Sequence, residues 1–223
     1  MSKPKMSEII TRTYRSEYKS EEEKGLIRGV PIVFDTPTDI CGYFEERIEP
    51  TAIDSSLLKD VALYYNHDIY SSKPHARSRK SAEKVGGMDL TVVATGVEML
   101  ARLNLERSDS NDLYQAINDE VLDGMSFMFR VERDRWEKLD TDYPTRIIEK
   151  IGYIQEVSAV NYPAYPTTSV EVARSDLSLD SDKKALDNAR AEYRKSLDSG
   201  NKALDNAKEL ELAKAKNRNI VIY

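Results

Sequence analysis

The chain has 223 residues, 40% of them hydrophobic and 32% charged, with a formal net charge of −6. A hydrophobic core is within reach of this composition, and the charges must lie mostly on the surface. Acidic and basic groups are mixed along the chain, which argues against the basic footprint of a nucleic-acid binder, and no apolar run approaches the roughly 18–20 residues of a membrane span.

The N-terminal segment "MSKPKMSEIITRTYRSEYKSEEEK" is too polar for a signal peptide and reads as a loose polar arm over residues 1–24, so the protein is expected to be intracellular and soluble. From "GLIRGVPIVFD" (25–35) the pattern becomes strand-like. The lone cysteine, Cys41 in "DICGYF", excludes an intrachain disulfide and reads as a small apolar filler. "GYFEERIEP" (42–50) alternates and stops at proline, and "TAIDSSLLKD" (51–60) reads as a short helix. "VALYYNHD" (61–68) reads as a strand that puts Val61, Leu63, Tyr65 and His67 on one face. A basic, turn-rich loop follows at 69–84, then strands at about 85–93 and 97–106.

"SDSNDLYQAINDEVLDG" (108–124) carries a polar start able to cap free N–H groups, a stripe of Leu113, Ala116, Ile117, Val121 and Leu122, and Gly124 where a C-terminal cap belongs. A strand begins in "MSFMFRVERDRWEKL" (125–139), and another in "TRIIEKIGYIQEVSAVNYPAYP" (145–166) ends at its prolines. After Arg174 the composition turns to Ala, Lys, Asp, Glu and Leu. "SLDSDKKALDNA" (178–189) recurs as "SLDSGNKALDNA" (196–207), ten of twelve positions being identical. The 18-residue offset is five helical turns, so residues 175–223 read as a helical tail, either continuous or broken into a hairpin at Ser199-Gly200.

Only two histidines exist, His67 and His75, so any histidine base is one of them; with a single cysteine they also make a poor metal set. His75 lies among lysines and arginines and reads as solvated. His67, on a semi-apolar face, would be held neutral, as a general base requires. Ser126 follows Gly124 in a helix–glycine–strand order, the reverse of the strand–turn–helix nucleophile elbow, and taken alone it reads as an ordinary strand residue. Among 39 acidic residues Glu156 stands apart, placed mid-strand on the face of Ile154, Ser158 and Val160. A carboxylate between apolar neighbours must be paired.

"NHD" after an apolar strand, "DGMSFMF" after a helix, and "QEVSAVNYPAYPTTSVEVAR", with "IRGVPIVF" and "FEERIEPTAI" before them, together resemble the prohead proteases of tailed phages. The resemblance covers residues 25–174. It implies an α+β fold, a mainly antiparallel β-barrel edged by helices as in the herpesvirus maturational proteases, followed by the helical tail. It implies a serine endopeptidase with His67 as base, Ser126 as nucleophile and Glu156 as third member, acting on scaffold and capsid-protein extensions and on itself. Autocleavage is expected near residues 170–182. The place of action would be the immature capsid in the host cytoplasm, with the major capsid protein and scaffold segments as partners. It leaves a homodimer or higher oligomer open and implies no cofactor, metal, nucleic acid or membrane. The stretch "HARSRKSAEKVGGMDL" departs from the relatives, whose glycines lie elsewhere; Arg77 stands at their arginine. Two other readings compete. One is a catalytically silent, scaffold-like assembly protein, which would have no use for His67, Ser126 and Glu156. The other is a metal-dependent nuclease around "NHD", which lacks further histidines and a basic face.

Overall fold

The computed structural model describes residues 8–15, 19–20, 24–161 and 176–218. In chain order the strands are β1 (Ile10–Arg15), β2 (Lys19–Ser20), β3 (Leu26–Val33), β4 (Thr38–Asp39), β5 (Glu45–Ile48), β6 (Ala62–Tyr65), β7 (Ala76–Arg77), β8 (Met88–Val93), β9 (Gly96–Arg102), β10 (Gly124–Glu137) and β11 (Thr145–Val160). Helix α1 is Ser108–Asn118 and α2 is Asp176–Arg218. The helix expected at 51–60 is one 3-10 turn, Ser55–Leu58, capped by the Asp54 carboxylate on the Ser56 N–H.

Two sheets result. One runs β1-β10-β11-β5-β4, with β6 beside β11 and β7 beside β6; the other runs β2-β3-β9-β8. The long strand β11 organises the first sheet. It pairs antiparallel with β10 along its length, and parallel with β5 near its start and with β6 near its end. β10 alternates along its first half, burying Met125, Phe127, Phe129 and Val131 against Ile27 and Ile32 of β3, Val97 and Met99 of β9, and Val157 and Ala159 of β11. Each such side chain contributes roughly 1.5–3 kcal/mol of burial, and this core fixes which face of β10 carries Ser126.

Several expectations are corrected. Closure into a barrel needs the last strand to bond the first, but both sheets are open paths with separate edges, and no closed barrel is found among the described residues. Ile10–Arg15, expected within a loose arm, is a strand paired to β10, because Ile10 joins the core and Arg12 finds buried carboxylates. Helix α1 stops at Asn118, where Glu120 takes φ +57; Gly124 already opens β10, and Val121 is exposed. Cys41 is exposed in a turn at φ +52 and fills no core. Helix α2 runs through Ser199-Gly200 without a hairpin. The chain divides into two compact units, Met1–Asp182 and Lys183–Tyr223. No helix among the described residues is long and apolar enough to cross a membrane.

Candidate active site

A row of residues crosses four strands of the first sheet. Thr13 of β1 lies opposite Ser126 of β10, Ser126 opposite Ser158 of β11, and Ser158 opposite Tyr64 of β6. Met125 and Phe127 enter the core, so Ser126 between them faces the other side of the sheet. Val157 and Ala159 do the same for Ser158.

His67 reaches this face from a turn, not from a strand. β6 ends at Tyr65, and Asn66 and His67 both adopt left-handed backbone, at φ +48 and +61. Asn and His tolerate that region better than most residues, and the surroundings hold it. The Asn66 N–H donates to the Ala159 carbonyl at 2.9 Å, and the Asp68 N–H donates to the Tyr65 carbonyl at 3.1 Å. The Asn161 N–H donates to the Asn66 side chain at 3.1 Å, and the Tyr65 hydroxyl bonds the Asn161 side chain. The strand alternation expected for His67 therefore fails two residues early, and the turn aims the imidazole back over β11.

There His67 Nδ1 lies 2.8 Å from Glu156 Oε1. The carboxylate is fully buried, while the imidazole is 23% exposed. A carboxylate only accepts, so the neutral ring carries its proton on Nδ1 and leaves Nε2 with a free lone pair. Ser158 Oγ donates to Glu156 Oε2 and accepts the backbone N–H of His67 at 3.1 Å. One hydroxyl thus ties the carboxylate to the backbone of the imidazole it orients.

Ser126 is fully buried. Its hydroxyl donates to the Arg12 carbonyl at 2.8 Å and accepts from the Thr13 hydroxyl at 2.9 Å. Among the described residues it makes no hydrogen bond to His67. The structure brings His67 and Glu156 into contact, and it places Ser126 one strand from Ser158 on the same face, with its hydroxyl turned toward β1.

Residues 12–182 match the family model of the caudovirus prohead serine protease. The chain belongs to this family. It is a prohead maturation protease. No match was found among curated proteins or among solved structures.

The matched span begins and ends on two residues of the protease that touch each other. Arg12, fully buried, donates through Nη2 to Asp182 Oδ1 at 2.9 Å and through Nη1 to Asp182 Oδ2 at 3.1 Å, and it grips Glu46 through Nε and Nη2. Burial disfavours the guanidinium charge, but the two carboxylates outweigh it and hold the proton more tightly than usual. Arg146 completes the cluster at 3.3 Å from Glu46 and 3.5 Å from Asp182. The strand that supplies the carbonyl bonded to Ser126 is therefore anchored by a double bidentate ion pair.

The other histidine of the protease is not solvated, as its lysine-rich neighbourhood suggested. His75 is buried, with Nδ1 2.9 Å from Ser110 Oγ at the start of α1, and burial pushes its pKa below the ordinary value. Arg77 pairs with Asp60 at 2.6 Å. Among the described residues no group of three His, Cys, Asp or Glu is placed to hold a metal. The sequence analysis puts Ser158 on the face of Glu156 but gives it no role, and it does not single out Thr13 or Arg12. Ser158 had a usable signal, since it sits two residues from Glu156 on a strand and must share its face.

Proposed function

We propose that His67, Ser126 and Glu156 form the catalytic triad of this protease. The observation that carries the reading is the 2.8 Å contact between His67 Nδ1 and the buried Glu156 carboxylate, which fixes the tautomer that a general base needs. Ser126 turns its hydroxyl from the Arg12 carbonyl to His67 Nε2. The serine then attacks a peptide carbonyl while Nε2 takes its proton, and Glu156 stabilises the imidazolium. The imidazolium returns the proton to the leaving amine, and an ester to Ser126 remains. Water, deprotonated by His67, hydrolyses that ester.

The substrates are scaffold segments and capsid-protein extensions, and the protease itself, inside the immature capsid of the infected host. Autocleavage near residues 170–182, of which 170–175 lie outside the described residues and 176–182 open α2, separates the 25–174 protease domain from the tail. The repeat helix of the tail serves as the handle that binds helical scaffold segments. Co-expression of the wild type and of Ser126→Ala with the matching capsid protein, read by intact mass, tests this function. Cleavage by the wild type alone is the expected result, and equal cleavage in both removes Ser126 from the mechanism.

A further inference from the structure

Paired residues of β10 and β11 line the face of the first sheet that carries the proposed triad. Phe127, Phe129 and Val131 enter the core, so Ser126, Met128 and Arg130 between them stand on the other face. Opposite these on β11 are Ser158, Glu156 and Tyr153. The bulge after Met128 keeps the two strands in step, since Ile154 enters the core opposite Phe129 and Tyr153 is exposed opposite Arg130. Glu156, which holds His67, therefore lies one pair from Ser126 and one pair from Arg130 on a single face. Arg130 is roughly 13 Å from Ser126 along the strand.

The other arginines of these two strands each hold a carboxylate. Arg133 is paired with Glu149 at 2.8 Å, Arg135 with Glu49 at 3.2 Å and Arg146 with Asp134 at 2.6 Å. Arg130 has no hydrogen bond or ion pair among the described residues, and its Nε is closed off from solvent without an acceptor. The carboxylates of the same face are committed elsewhere, Glu156 to His67 and Ser158, and Glu132 to Lys150 at 2.6 Å. What Arg130 does have is the ring of Tyr153, its Cζ 6.0 Å from the centroid. That is the outer reach of a cation–π contact. It orients the guanidinium and leaves the N–H groups unanswered. A buried donor without an acceptor is costly, and one in a folded protein calls for a partner that binds later. The partner that matches a planar charged fork is a carboxylate.

Resting on the triad reading above, we propose that Arg130 is a specificity-determining residue of the protease, and that it takes an aspartate or glutamate side chain of the substrate. An extended peptide rises at the pace of a strand, so this acidic residue lies within about four residues of the cleaved bond. A lysine or arginine at the same substrate position is repelled. A guanidinium that merely covered Tyr153 would leave the choice of cut sites untouched.

The test gives the full chain a proteome-derived peptide library and reads the new N-termini by mass spectrometry. The wild type should show Asp or Glu enriched at one fixed position within about four residues of the cut. On a matched pair of peptides carrying Glu or Gln at that position, kcat/KM should differ roughly ten- to hundredfold, the scale of a hydrogen bond to a charged group. Arg130→Met should erase the difference, and Arg130→Glu should turn the preference toward Lys and Arg, a gain that misfolding cannot mimic. A wild type that cuts with no acidic position, or does not cut the library at all, overturns the proposal, as does a preference unchanged in both variants. Ser126→Ala given the same library separates this from the triad reading. Cuts that depend on Ser126 but show no acidic position keep the triad and sink the role of Arg130. Cuts that persist in Ser126→Ala, with an acidic position lost in Arg130→Met, sink the triad and keep Arg130.

Discussion

Glu156→Gln isolates the role of the buried carboxylate, because it removes one charge and keeps the shape. In the wild type Ser158 Oγ has one proton, which goes to Glu156 Oε2, while Glu156 Oε1 accepts from His67 Nδ1. The amide has two ways to fit. With its oxygen toward His67, its NH₂ meets Ser158 Oγ, which already accepts the His67 N–H. The Ser158 proton is then displaced into a fully buried site, at a cost of about 1–3 kcal/mol. With its NH₂ toward His67, every local bond is satisfied, but Nδ1 must accept and the ring proton moves to Nε2. That tautomer cannot take the Ser126 proton. The second arrangement is the stable one, so the variant should fold normally and lose about four orders of magnitude in kcat/KM, or roughly 5 kcal/mol of transition-state stabilisation. The assay is kcat/KM on a cleaved peptide across pH, with a melting curve to confirm the fold. A rate within tenfold of wild type refutes the assignment of Glu156 and the tautomer argument with it.

Two further outcomes concern stability. Arg12→Leu leaves Glu46 and Asp182 buried without the guanidinium that holds them, and should cost about 3–5 kcal/mol, seen as a lower urea midpoint; a loss under about 1 kcal/mol contradicts the buried cluster. Burial lowers the His75 pKa, so as pH falls below the ordinary value near 6.5 the unfolded chain binds the proton first and the folded state loses stability until its own lower pKa is reached. The melting temperature should drop between pH 7.5 and 5.5, and drop less in His75→Gln; identical slopes in the two chains contradict a buried neutral His75.

What the sequence shows and hides follows from the range of the interactions. The β10 and β11 strands are legible because period-2 burial is written locally in "MSFMFRV" and "EVSAV". That Glu156 needs a partner is legible in a carboxylate among apolar neighbours, and the family resemblance points to His67 as that partner. The strand over Ile10–Arg15 was not, because "ITRTYR" looks polar until Arg12 finds Asp182, 170 residues away. The repeat even disguised that partner: Asp182 corresponds to Gly200 in the second copy, at one of the two positions where the copies differ. His67 was placed on a strand because alternation carries no information about a turn made by two left-handed residues. Glu156 was grouped with Ile154, yet a bulge between the Met128–Glu156 and Phe129–Ile154 pairs breaks the alternation, and Ile154 joins the core. His75 was misread because the charge of its loop says nothing of Ser110, which α1 brings against it.

The most direct measurement of the central claim is covalent trapping. The full-length protease is incubated with a fluorophosphonate, digested, and the adduct mapped by tandem mass spectrometry. The face of the sheet offers two buried serines side by side, Ser126 and Ser158, and only the one served by His67 should react. The account predicts a single adduct on Ser126, lost in His67→Ala. An adduct on Ser158, or labelling of Ser126 that persists without His67, would contradict it.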